Sequence, residues 1–113
     1  MADGKLPDPE ALVAILLDRT APDGDRGDAA MDLGSYDEPI VVAALEAVVV
    51  DPAEEEHVLD DAGLSIAEIW SRHGRMKEGV FRAMQPAARR VAEEFLRAKA
   101  PELLADLDDA EAR

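Results

Sequence analysis

Pro39-Ile40-Val41-Val42-Ala43-Ala44-Leu45-Glu46-Ala47-Val48-Val49-Val50 is apolar at every position except Glu46. Its reading decides the fold. The three closing valines favour a strand, but two signals outweigh them. Asp37-Glu38-Pro39 supplies a helix start, with acids at the cap and proline at the first helical position, and Asp51-Pro52 supplies a stop. The stretch is also too long for an ordinary strand, and Val41, Leu45 and Val48 repeat at helical spacing. A helix that is apolar nearly all round should be buried on more than one side. It is therefore expected to lie centrally, touching a second helix on one flank and a long helix on the other.

Toward the amino terminus, Gly34 to Asp37 turns the chain into this helix, and Asp28 is expected to cap a second helix carrying Ala29, Ala30, Met31 and Leu33. Thr20 to Gly27 reads as a turn-rich loop. Pro9-Glu10 opens a first helix running through Arg19, with Leu12, Val13, Leu16 and Leu17 as its buried stripe. Toward the carboxyl terminus, a long helix is expected from about Ala53 to His73, with Gly74 as its C-cap. Its apolar stripe is Leu59, Ala62, Ile66, Ile69 and Trp70. A shorter helix over 76–84 carries Val80 and Phe81, and Pro86 starts another that ends near Ala100. Pro101 to Leu107 adds one last turn. The expectation is an all-α fold of five to six helices. Residues 1–8 form a disordered start, 9–107 a single domain and 108–113 an acidic tail.

Composition narrows the function. A chain of 113 residues is one domain with a modest core. Hydrophobic residues make up 48%, which excludes a disordered chain. Tyr36, Trp70, Phe81 and Phe95 are the only aromatics, so the core must be built from Ala, Val, Leu and Ile. The absence of cysteine excludes a disulfide framework, a zinc–thiolate site and a thiol nucleophile. The first eight residues do not read as a signal peptide. No apolar run approaches the roughly 20 residues that span a bilayer. A cytoplasmic protein without membrane contact is expected.

The net charge of −14 is one-sided: residues 1–62 hold 17 acids against Lys5, Arg19 and Arg26. Residues 63–113 hold nine of each sign, and Arg72 to Lys99 is locally basic. Such an acidic body repels nucleic acid and anionic membrane. Solubility is the plain reading of the charge, and a basic protein partner the sharper one.

An internal echo underlies the helices. Asp28-Ala29, Leu33 and Gly34 match Asp61-Ala62, Ile66 and Ala67 at a constant offset of 33. Small residues at Ala29, Gly34, Ala62 and Ala67 let a neighbouring helix approach closely, and Leu33 and Ile66 fill the space between layers. The segment Asp28-Ala29-Ala30 … Leu33-Gly34 … Asp37-Glu38-Pro39 … Val41 … Ala44-Leu45 … Val48 … Asp51 … Val58 … Ala62 resembles the short HEAT-like repeats of phycobilisome-lyase-type proteins. The resemblance covers about residues 28–73, with a looser continuation to Ala100. It implies a short right-handed stack of antiparallel helical hairpins, a HEAT-like α-α superhelix, used for binding and not catalysis. The family's arginine after the valine that opens the next helix is replaced here by Leu59 after Val58.

Candidate chemistry is sparse. Glu54-x-x-His57, with Asp61 one turn on, copies half of a carboxylate di-iron motif, but such sites need two copies on facing helices. An acid-rich, solvated helix start is preferred. Asp23-Gly24-Asp25-Arg26-Gly27-Asp28 fails the register of a calcium loop, because position 6 is Asp28 and position 12 is Gly34. No nucleophile elbow or glycine-rich phosphate loop occurs. No catalytic residue, metal site or cofactor is expected.

The long helix carries a polar stripe of His57, Asp61, Ser65, Glu68 and Arg72, in which Glu68 and Arg72 can pair. With Asp60 beside it and Trp70 at its border as an anchor, this stripe is the candidate partner-binding surface. The competing readings are a solvated face and a core tryptophan. The functional expectation is a non-enzymatic protein-binding module with an acidic helical surface, one that serves as regulator, adaptor or inhibitor. One concrete form is an immunity-like protein that neutralises a basic toxin or nuclease. The alternative is a ligand- or metal-binding helper of the lyase-associated kind. The sequence assigns no oligomeric state.

Overall fold

Proline and acid together set where helices begin. The computed structural model describes residues 7–112. They form α1 (Pro9–Leu17), α2 (Asp23–Leu33), α3 (Pro39–Val49), α4 (Glu56–His73), α5 (Glu78–Ala83), α6 (Pro86–Lys99) and α7 (Pro101–Ala112). No strand occurs among the described residues, in keeping with the all-α expectation. Helices α1, α3, α6 and α7 each open on a proline, whose fixed φ and missing N–H cost nothing at the first helical position. The Asp8 carboxylate accepts from the Glu10 N–H at 3.0 Å and caps α1. The Pro7 carbonyl accepts from the Tyr36 hydroxyl at 2.5 Å, so Pro7 and Asp8 belong to the folded body. The rest of the expected disordered start, residues 1–6, lies outside the described residues.

Three boundaries differ from expectation. The described residues hold seven helices and not five to six, because α7 continues to Ala112 instead of stopping near Leu107. Leu103 and Leu107, one turn apart, are buried and anchor it beside α6. The second difference is α2, which starts at Asp23 and not at Asp28, so most of the expected loop is helical. Asp23 and Asp25 in its first turn suit the positive end of the helix dipole. Its glycines are not all turn signals. A Cβ on Gly27 would stand 2.7 Å from Asp61 Oδ2, so this glycine marks a close approach of α2 to α4. Third, α4 starts at Glu56, because Asp51-Pro52-Ala53-Glu54 forms a turn. The Asp51 carbonyl accepts from the Glu54 N–H at 3.2 Å, and its carboxylate from the Ala53 N–H at 2.9 Å.

The packing makes two layers. In one, α1 lies against α3; in the other, α2 lies against α4 and α4 against α6. The pairs α1–α2 and α3–α4, hairpins of consecutive helices, join the layers. The helix with most neighbours is α4, not α3. The main partners of α3 are α1 and α4, whereas α2 lies across α4. Val41, Leu45 and Val49 of α3 are fully buried, yet Ile40, Ala43 and Ala47 on its outer side meet solvent. Burial on every side was therefore not required; a row of mostly small apolar side chains is tolerated at a surface. At the α4–α6 contact, a Cβ on Gly63 would stand 2.6 Å from the Ala88 carbonyl oxygen, so the two backbones nearly touch. Gly74 closes α4 in the left-handed conformation (φ 73°), with the Arg75 N–H returning to the Trp70 carbonyl at 3.2 Å.

Candidate partner-binding face

The polar stripe of α4 is brought together as expected, but it faces α2. His57 Nε2 lies 2.9 Å from the Asp23 carbonyl oxygen. Ser65 Oγ, fully buried, donates to the Ala30 carbonyl at 2.6 Å. Arg72 does not pair with Glu68. Its guanidinium donates to the Gly34 carbonyl at 3.0 Å and to the Asp37 carboxylate at 2.7 Å. The half-buried carboxylates of Asp61 and Glu68 lie over the bare Cα atoms of Gly27 and Gly34. The stripe is thus a polar seam between two helices. Asp60 stands beside the seam, half-buried, with Arg90 at 3.9 Å. Trp70 is 4% exposed and belongs to the core.

The seam perturbs its acids in opposite directions. Burial pushes the Asp61 carboxyl up; the His57 ring pulls the other way, and the charges of Asp60 and Asp28 add to the rise. Hydrogen bonds from Arg72 and His73 hold Asp37 below the ordinary carboxylate range. A second polar tie crosses the hairpins nearby. Arg26 grips Glu54 with both terminal nitrogens at 2.7 Å, and its Nε donates to the Leu16 carbonyl at 2.9 Å. Arg19 reaches the same Glu54 at 3.3 Å and also pairs with Asp51. Burial alone would raise the Glu54 carboxyl, but the hydrogen bonds and charge of Arg26, with help from the Glu55 N–H and Arg19, hold it low. Glu54 therefore does not sit on a helix face with His57, and the half-motif for a metal dissolves. No three His, Asp or Glu side chains among the described residues come together in a way that could hold a metal ion.

With the seam and the ties accounted for, the open surface of the acidic half lies on α1 and α2. A groove of about 310 Å³ runs between them. Its floor is Leu12, Ile15 and Ala29, and its rim is Asp25, Asp28 and Asp32, three exposed acids along one edge of α2. Ile15 is 39% exposed, and Met31 next to the rim is 50% exposed. Comparison with protein-family models, curated proteins and solved structures yields no match. The reading of this face therefore comes from its own chemistry. Arg19 and Arg26, the bases of residues 7–62, are both turned onto Asp51 and Glu54, and no Lys or Arg among the described residues lines the groove. The sequence held the signal for this face in Asp25, Asp28 and Asp32, spaced three and four apart, but the expected loop over 20–27 hid it.

A second groove, of about 340 Å³, lies where α3 meets the end of α4, with Val42, Ile69, Trp70 and Met76 in its wall. Lys77 crosses it to Glu46 at 3.1 Å.

Proposed function

We propose that the chain is a non-enzymatic protein-binding module, a short HEAT-like stack that meets a basic partner through the acidic face of α1 and α2. The observation that carries this is the apolar groove bordered by Asp25, Asp28 and Asp32, with no base among the described residues in its lining. Apolar contact there supplies affinity, and the uncompensated acids steer and select the partner. The HEAT-like part of the reading draws on a regularity. Side-chain bonds between successive helix pairs span 28 to 38 residues, and four of them lie close to one repeat: 34 residues for His57 and Asp23, 35 for Ser65 and Ala30, 35 for Arg72 and Asp37, 35 for Gln85 and Val50. Contacts about one unit apart are what a stack of like units makes. A regulator or inhibitor of a basic protein, including an immunity-like role, fits this face.

The test is capture of the partner by the native chain, followed by association kinetics at several salt concentrations. A partner of basic surface is expected, with an on-rate that falls steeply once salt passes about 0.1 M, where the Debye length is about 10 Å. The charge test belongs on the rim, not on Asp60 and Asp61, because Asp61 lies in the α2–α4 seam and Asp60 faces Arg90. Asp25→Lys with Asp28→Lys and Asp32→Lys should slow association more than it speeds dissociation. A partner with an acidic contact face, or one that binds the basic stretch 72–99, overturns the proposal.

A further inference from the structure

The groove between α1 and α2 is not covered by any described residue, and its occupant can be argued from the corresponding surface one repeat later. At the repeat offset of 33, Asp25, Asp28, Ala29 and Asp32 of α2 correspond to Val58, Asp61, Ala62 and Ser65 of α4. On α4 these four positions lie on the side packed into the fold, with Asp61 and Ser65 meeting α2 directly. Val58, Ala62 and Ser65 are fully buried, Asp61 sits over Gly27, and Ser65 bonds to Ala30. On α2 only Ala29 is covered, and the three acids stand in solvent. The surface that accepts a helix one unit later is thus repeated on α2, where no described residue covers it.

We infer that this groove takes an amphipathic helix of a partner protein, seated as one more layer on α1 and α2. This rests on the proposed binding function and specifies its mode. A helix is the occupant because the same surface one repeat later holds a helix, and because the floor is a strip of apolar side chains along two helices. The occupant is basic because α2 substitutes aspartates where α4 has a valine and a serine. Asp25, Asp28 and Asp32 mark successive turns of one helix edge. They match Lys or Arg repeated every three to four residues on a neighbouring helix, next to its leucine or isoleucine stripe.

The test uses the full chain and three synthetic peptides of equal length. One is an amphipathic helix of lysine and leucine, one a scramble with the same composition and no apolar face, and one the amphipathic helix with glutamate for lysine. Affinity is read by fluorescence anisotropy and the site by amide chemical shifts. The lysine–leucine helix should bind with shifts concentrated in α1 and α2, and the other two should bind at least tenfold more weakly. Asp25→Lys/Asp28→Lys/Asp32→Lys and, separately, Ile15→Asp should each weaken binding at least tenfold with the thermal melt unchanged. Ile15→Asp is the discriminating variant, because it adds negative charge while spoiling the floor. If the triple variant weakens binding while Ile15→Asp and the scramble do not, the acidic face binds bases without docking a helix; this inference fails and the broader function stands. If the triple variant changes nothing, both fail. If sedimentation shows the chain associating with itself and the triple variant dissociates it, the occupant is a second copy and the inference is overturned.

Discussion

Arg26 and Glu54 are the two charged side chains that the core of the described residues admits. Their value depends on each other. Taking one away leaves the other charged and buried without its two-pronged partner, Glu54 keeping only the longer contact with Arg19, which costs about 3–5 kcal/mol, whereas replacing both by apolar groups of similar volume is near neutral. Arg26→Met should therefore cost about 3–5 kcal/mol in urea unfolding, and Arg26→Met/Glu54→Leu should recover most of that loss. Equal costs for the single and double variants would sink this account. Acid tests the same pair in a different way. Glu54 is held below its ordinary value, so its contribution is present above the usual carboxylate range, near pH 4, and is lost as pH falls through the lowered value. Asp61 runs the opposite way. Its raised value means that the folded state holds its proton more readily, so ionisation disfavours folding increasingly as pH rises from about 4. Asp61→Asn should then be more stable than the parent at pH 7, with the gain vanishing at pH 3.5. A gain that is the same at both values would show that burial of the ionised acid is not its cause.

At the scale of elements, the glycines of α2 and α4 play unlike parts, and substitution separates them. Gly24 has open space around its Cα, so Gly24→Ala should stabilise α2 by about 0.5–1 kcal/mol. Gly63 faces the Ala88 backbone, which has no rotamer through which to yield, so Gly63→Ala should cost about 1–3 kcal/mol despite its better helix propensity. Thermal melts of the two variants side by side check the pair, and shifts of the same sign would mean that α4 and α6 have room between them. This contrast also explains what the sequence could reveal. The helices that open on Pro9, Pro39 and Pro86 were legible, because their start signal is local. The start of α2 was not, because Gly24 and Gly27 look like turn residues until α4 is laid against them. The stripe from His57 to Arg72 was legible as a stripe, but its direction was not. Its partners are largely backbone carbonyls of α2, which every residue carries and which therefore leave no trace in the sequence. The acids of the α1–α2 rim were visible individually, but they form one edge only once residues 23–27 are helical.

At the scale of the whole molecule, the separation of charge and core is the main feature. The core runs continuously from Leu12 to Leu107 through both layers, so a single deletion near its middle should weaken the whole. Leu45, fully buried, is such a position, and Leu45→Ala should cost about 2–5 kcal/mol while unfolding remains one cooperative transition. A change within about 0.5 kcal/mol would place Leu45 outside the core. The ties between hairpins have a further consequence. Their side-chain bonds join positions no closer than 28 and no farther than 38 residues apart, from Arg26–Glu54 to Arg72–Gly34. Each closes only a short loop, and none waits for the two ends of the chain to meet. Topologies of this kind fold in microseconds to milliseconds, because little loop entropy is lost before contacts form. A chain unfolded too briefly for its prolines to isomerise should therefore regain its helical signal within about ten milliseconds. Refolding can start from contacts between helices near in sequence and spread outward from them.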